Sequence, residues 1–221
     1  MKIVYLKEVD STNDFAKKLI DNGDEAIIIA ERQSKGKGRL GRIWISEEGG
    51  LYFTIILKGD PEFINFLSAV SVVETLRQYN INSGIKFPND ICVDEKKLCG
   101  VLIEIYKGYV ILGIGINVNN DIKIERAVSL KSLGYDINKF ELLFKFLKIF
   151  FENMKKDKEK ILETYKKYSI TINRPVKILL PNKIIYGKVV DIDYSGIMLD
   201  IGNKIINIPA GDVIHLRFDK I

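Results

Sequence analysis

Apolar residues recur at two different spacings along this chain, and the switches between them mark out its elements. KIVYLKEV at 2–9 alternates apolar and polar positions, as a half-buried strand does. In DSTNDFAKKLIDNGD the residues Asp10 to Asn13 are of the capping type, and Phe15, Ala16, Leu19 and Ile20 share one helical face. A helix ending at Asn22-Gly23 is therefore predicted. EAIIIAE and GGLYFTIIL are nearly continuous β-branched and aromatic runs, the mark of buried strands. After Gly59-Asp60-Pro61, FINFLSAVSVVETLRQY has helical spacing. The stretch GIKFPNDICVDEKKLCGVLIEIYKGYVILGIGINV predicts three strands, with tight turns at Asp94-Glu95-Lys96 and Lys107-Gly108. Helices resume with INKFELLFKFLKIFFENMKK and the lysine-rich segment behind it.

At Arg174-Pro175 the texture changes to PVKILL, IIYGKVVDI, IMLDI and IINI, short runs separated by turn residues. This predicts a small all-β barrel of about five strands after a boundary near Pro175. The chain of 221 residues is long enough for one main domain and this minor one, expected at 1–172 and 173–221.

Composition narrows the function class. With 47% hydrophobic and 29% charged residues, neither disorder nor a fibrous repeat is indicated. The net charge of +5 favours anionic partners, yet much of the excess lies in ENMKKDKEKILETYKK, where Lys alternates with Asp and Glu as on a solvated helix face. Cys92, Cys99 and a single histidine, His215, are too few for a zinc site or a Ser-His-Asp triad. Charges interrupt the N-terminal apolar runs, and no run approaches the roughly 20 residues of a membrane span. A cytoplasmic protein without a membrane partner is expected.

The candidate chemistry sits in SKGKGRLGRIW at 34–44, three glycines and four cations leading to the only tryptophan. Gly36 to Gly41 matches GxGxxG, but no helix can open after it, which argues against a dinucleotide fold; Arg42 after Gly41 argues against a Walker A loop. Glycines nonetheless let backbone amides approach an anion, while Arg39 and Arg42 offer planar forks and Lys35 and Lys37 point charges. A solvated basic loop, or a platform on which Trp44 stacks a base of single-stranded nucleic acid, fits the same residues. KFPND with KKLCG places Lys86, Asn89, Asp90 and Lys97 on a hairpin beside Gly100, and GIGINVN puts two glycines inside a strand. Such glycines admit a ligand, a bulge or tight packing.

Taken in order, DSTND (10–14), ERQSKGKGRLGRIW (31–44), GGLYFTIIL (49–57), KFPNDI (86–91), KKLCGVLIE (96–104) and GIGINVN (113–119) resemble the catalytic core of biotin protein ligases. RPVKILL, GKVVDID and the GDVIHLR ending resemble that family's small SH3-like domain. The resemblance implies an α/β fold: a mixed, largely antiparallel sheet with helices on one side, akin to class II aminoacyl-tRNA synthetases, and a C-terminal SH3-like barrel. It implies joining of biotin to ATP with Mg²⁺, giving biotinyl-5'-AMP, and transfer to one lysine of a biotin carboxyl carrier protein. Ser11, Thr12, Asn13, Gln33, Gly36, Lys37, Gly38, Arg39 and Lys97 then fall at biotin-contacting positions. Arg39, Arg42, Trp44, Asn89, Asp90, Lys97, Asn117 and Arg217 fall at ATP-contacting ones, with Lys97 and Arg39 as the catalytic pair and metal ligands unassigned.

Two departures from the family pattern keep physical type: Phe87 where many relatives have Trp, and Lys37 where Arg is common, at the loss of the bidentate fork. Because the chain starts at the first strand of the core, no DNA-reading helix-turn-helix is expected; a homodimer through the sheet is compatible with the resemblance. The rivals are a lipoate-protein ligase-like acyltransferase, against which GKGRLGRIW and KFPNDI argue, and a non-enzymatic nucleic-acid-binding module, for which a basic stripe with interleaved aromatics is missing.

Overall fold

A computed structural model describes residues 1–23, 25–180, 183–209 and 212–215. Strand β1 (Lys2–Val9) and β2 (Ala26–Gln33) run parallel, with helix α1 (Thr12–Asp21) carrying the chain back between them. Ser11 caps α1 and accepts from the Asp14 amide at 3.5 Å, so the segment read as capping residues does cap. β3 (Leu51–Leu57) pairs antiparallel with β2, and helix α2 (Pro61–Arg77) follows, its N-cap Asp60 accepting from the amides of Glu62 and Phe63 with Pro61 behind it.

The next stretch forms four strands, not three: β4 (Gly84–Lys86), β5 (Asp90–Val93), β6 (Lys96–Tyr106) and β7 (Tyr109–Ile116). The first predicted strand splits because Pro88 has no N–H for a ladder and Asn89 favours a turn, so Phe87-Pro88-Asn89, with a cis Phe87–Pro88 bond, folds back and sets Lys86 opposite Asp90. The other two turns fall at the predicted positions, with positive φ at Asp94, Glu95, Lys107 and Gly108. The sheet order is β1-β2-β3-β7-β6-β5-β4, antiparallel apart from β1 against β2.

Helices flank both faces of this sheet, which corrects the expectation of one side. Ile27, Ile29, Phe53, Ile55, Leu112 and Ile114 join α2, α3 (Lys139–Asn153) and α4 (Lys158–Tyr168) in the main core, while Ala26, Ile28, Ile56 and Ile111 pack against Ala16 and Ile20 of α1. The unbroken run AIIIA belongs to a strand covered on both sides.

β8 (Pro175–Leu180), β9 (Lys183–Asp193), β10 (Gly196–Asp200), β11 (Ile205–Ile208) and β12 (Asp212–His215) make a second, antiparallel sheet in the order β11-β10-β9-β8-β12. It docks on the helical layer through Tyr194, whose ring lies 4.8 Å from that of Phe66 and whose hydroxyl donates to the Lys158 carbonyl at 2.7 Å. Thr171 completes the join: its hydroxyl oxygen accepts from the Phe87 amide at 2.9 Å and lies 3.0 Å from His215 Nε2. Among the described residues, no helix is long and apolar enough to cross a membrane.

Candidate active site

The site grows out of β7. Its alternate residues Ile111, Gly113 and Gly115 face the α1 side, and the surface they form steps from filled to open. Ile111 packs beneath α1, whereas a Cβ on Gly113 would stand 3.0 Å from Asn13 Cγ, and one on Gly115 would stand 2.5 Å from Trp44 Nε1. Opposite Gly115, a Cβ on Gly100 of β6 would meet Trp44 Cζ3 at 2.9 Å and Lys97 Cε at 3.2 Å. The strand glycines thus clear a bed for the protein's own Asn13, Trp44 and Lys97, which is the tight-packing reading of GIGINVN, while Gly100, Gly113 and Gly115 also line the cavity above them.

A cavity of about 130 Å³ opens above this bed, lined by Ser11, Thr12, Asn13, Gln33, Lys37, Gly38, Arg39, Arg42, Trp44, Asn89, Asp90 and Lys97. Segments as far apart in sequence as DSTN and KKLCG therefore converge. Two described residues expected in the site do not line this cavity. Gly36 packs within the loop against its return limb, where a Cβ would be 2.5 Å from Ser46 Oγ. Asn117 is buried behind the cavity, donating to the Val128 carbonyl and accepting from Asn120, each at 3.2 Å. Arg217 lies outside the described residues.

One wall is a fixed polar array. The backbone N–H and hydroxyl of Thr12 donate to Gln33 Oε1 at 2.8 and 3.0 Å, and Gln33 Nε2 donates to Ser46 Oγ at 2.8 Å. Thr54 donates to Asn13 Oδ1 at 2.6 Å, and Asn13 Nδ2 donates to Glu104 Oε2 at 2.8 Å. Both amides are held in one orientation, so the wall is pre-set for a polar ligand. Thr54, Ser46 and Glu104 escaped the sequence reading. Thr54 had a signal, being the polar residue inside the apolar run LYFTIIL, and it is fully buried.

The other wall is cationic. Lys97 Nζ lies 2.6 Å from Asp90 Oδ1 and 5.1 Å from the centre of the Trp44 ring. Arg39 donates to Asn89 Oδ1 at 3.4 Å, while Asn89 Nδ2 donates to the Val101 carbonyl, so the KFPN turn and the glycine loop hold each other. Lys37, Arg39, Arg42 and Lys97 face the cavity against one lining carboxylate, Asp90, which leaves a net positive field for an anion. The loop makes a short 3₁₀ turn at Arg39–Gly41 and opens no helix, with Leu40 and Gly41 at positive φ. Burial pushes the Cys92 thiol up to about 12 and raises Cys99 as well, so neither is a nucleophile.

Comparison with known proteins agrees with this geometry. Residues 5–121 match the biotin/lipoate A/B protein ligase family and residues 171–216 the biotin protein ligase C-terminal domain. The chain is 31% identical to the bifunctional ligase/repressor BirA of Bacillus subtilis over 89% of its own length and 68% of that protein's. It is 28% identical to the biotin–[acetyl-CoA-carboxylase] ligase of Mycobacterium tuberculosis over 88% of its length and 80% of the relative's. Among solved structures, the biotin protein ligase of Aquifex aeolicus in complex with biotin and ATP is similar at 34% identity and a TM-score of 0.88, covering 98% of this chain and 99% of that one. With the fold, the glycine loop and both matched regions in agreement, this chain belongs to the biotin protein ligases of the biotin/lipoate A/B protein ligase family.

Proposed function

We propose that the protein is an ATP-dependent biotin protein ligase that makes biotinyl-5'-AMP and passes the biotinyl group to a lysine of a carboxylase's biotin carrier domain. The observation that carries this is one cavity with a fixed Thr/Asn/Gln wall for a neutral polar ring and four cations for carboxylate and phosphates. The relatives named as biotin ligases, and the biotin and ATP bound in the Aquifex aeolicus enzyme, support the same reading. A match to the biotin protein ligase C-terminal domain favours biotin over lipoate. We assign residues 1–172 to the chemistry and 173–221 to the accessory domain.

In the first step a carboxylate oxygen attacks the α-phosphorus and pyrophosphate leaves; in the second the acceptor amine attacks the mixed anhydride and AMP leaves. Neither step needs a protein nucleophile. Each needs two reactants held together and their charge neutralised, which is electrostatic and positional work. To Lys97, beside Trp44 and Asp90, we assign the bridging of the carboxylate and the α-phosphate. Arg39 and Arg42 are suited to the polyphosphate, and Asn13, Thr12 and Gln33 to the biotin ring.

Mg²⁺ fits as a companion of the polyphosphate, for which one carboxylate and several waters suffice. Asp90 is the lining carboxylate that would hold it, and among the described residues no group of three His, Cys, Asp or Glu side chains forms a metal cage. When bound, the ion supplies neutralisation of phosphate charge. The test is transfer of labelled biotin to a purified carrier domain with ATP and Mg²⁺. Label on the wild-type carrier, and none on one whose target lysine is Arg, is expected; an unlabelled wild-type carrier contradicts the proposal.

A further inference from the structure

The glycine loop is tied at its base and exposed at its tip. At the base, the Ser34 and Lys35 amides donate to the carbonyls of Val9 and Asp10 at 3.0 and 2.7 Å, and the Ser34 hydroxyl and Lys35 ammonium both reach the Asp10 carboxylate. At the tip, Leu40 is 71% and Ile43 80% exposed, so apolar packing does little to hold it down. Charge does. Lys37, flanked by Gly36 and Gly38, donates to Asp14 Oδ1 at 2.6 Å. Asp14 belongs to the first turn of α1, where the helix dipole favours a carboxylate and the backbone is rigid.

The pair does not stand alone. Lys17, one turn along α1, lies 3.4 Å from the same Asp14 oxygen and 2.6 Å from Glu104 Oε1 on β6. Glu104's other oxygen is the one that fixes Asn13. Glu104, Lys17, Asp14 and Lys37 thus form a series of alternating charge from the sheet, over α1, to the loop, with an asparagine of the pocket wall bonded to its inner end. Burial works to raise the Asp14 pKa, but Lys37 and then Lys17 hold it below the usual carboxylate range, so the latch is charged at neutral pH.

We propose that Asp14 latches the glycine loop over the cavity, so that retention of the acyl-adenylate, rather than its formation, depends on the Lys37–Asp14 pair. This rests on the ligase reading above. Asp14 is a positioning residue: it does not line the cavity and acts through Lys37. Lys37 in turn works at least in part as the loop's hold on α1, a task that a flexible point charge performs as well as a planar fork.

The experiment loads wild type, Asp14→Asn and Asp14→Glu with labelled biotin and ATP, removes excess, and follows release of label under an unlabelled chase at low and high ionic strength. A partly exposed ion pair of this kind predicts release about two- to fivefold faster in Asp14→Asn at low salt, restored by Asp14→Glu. Salt should speed wild-type release more than that of the Asn variant, narrowing the gap between them. Wild-type release by Asp14→Asn, or slower adenylate formation with unchanged release, overturns the latch. If wild type forms no adenylate, the ligase reading fails separately. Amide exchange of residues 34–43 in the free protein then decides the latch: faster in Asp14→Asn supports it, unchanged refutes it.

Discussion

Replacing Gly115 with Ala tests whether the glycines of β7 are there to seat Trp44. The added methyl would lie 2.5 Å from Nε1 and 2.6 Å from Cε2 of the indole. Ordinary carbon contacts are about 3.5–4.0 Å, so the ring must retreat by roughly 1 Å. It cannot sink through the strand, and the direction left to it is outward, into the cavity it lines. Overpacking of this kind costs about 1–3 kcal/mol, which for a chain of this size lowers Tm by roughly 2–12 °C. Whatever part of that strain is relieved only by blocking the cavity weakens nucleotide binding, about tenfold for each 1.4 kcal/mol. Trp44 is the only tryptophan, so its emission reports the displacement directly and a fluorescence titration with ATP reports the affinity. Gly38→Ala is the contrast for stability, since its methyl meets the Arg42 carbonyl at an ordinary 3.5 Å and should melt as wild type. A Gly115→Ala protein with wild-type Tm, emission and ATP affinity would refute the reasoning.

Thr54→Val keeps the shape but leaves the buried Asn13 Oδ1 without the Thr54 donor, at about 1–3 kcal/mol. Steady-state assays should show a raised KM for biotin and an unchanged KM for ATP; equal changes in both would count against a wall specific to the acid. His215 carries a pH dependence. Burial, then Lys86 and Arg174, lowers its pKa from 6.5 to about 4. A histidine whose folded pKa is depressed binds fewer protons folded than unfolded, so its contribution is full above pH 6.5 and is lost as pH falls towards 4. As it is the only histidine, His215→Gln should flatten the fall of the denaturant midpoint between pH 6.5 and about 5, where carboxylates titrate little. An unaltered slope would contradict this.

Much of the fold was legible in the sequence because its elements obey local rules. α1 begins at its serine cap, and each two-residue turn falls where Asp94-Glu95 and Lys107-Gly108 interrupt apolar alternation. What failed depends on tertiary context. The AIIIA run shows that β2 is buried on both faces but not which helix covers which, so α1's place opposite α2, α3 and α4 could not be read. The break at Phe87-Pro88-Asn89 could have been, since Pro88 cannot serve a central ladder. For the site, composition pointed to an anion and the order of motifs to a family, but the partners that orient the pocket, Thr54, Glu104 and Asp14 on strands and a helix and Ser46 on a loop bridged to Gln33, have contacts that only the tertiary pairing fixes. Asn117 shows the converse: it lies within a matched motif, yet it is buried behind the cavity and bonded to Val128 and Asn120.

Biotin-dependent exchange of labelled pyrophosphate into ATP, measured for wild type and Lys97→Ala, tests the central claim most directly because it isolates the adenylation step from any acceptor protein. Removing a preorganised charge at the reacting centre costs about 10²–10³ in rate. Exchange that requires biotin, is not supported by lipoate and falls by at least about a hundredfold in Lys97→Ala is the expected result. Exchange supported by no acid, or an undiminished rate in Lys97→Ala, would contradict it.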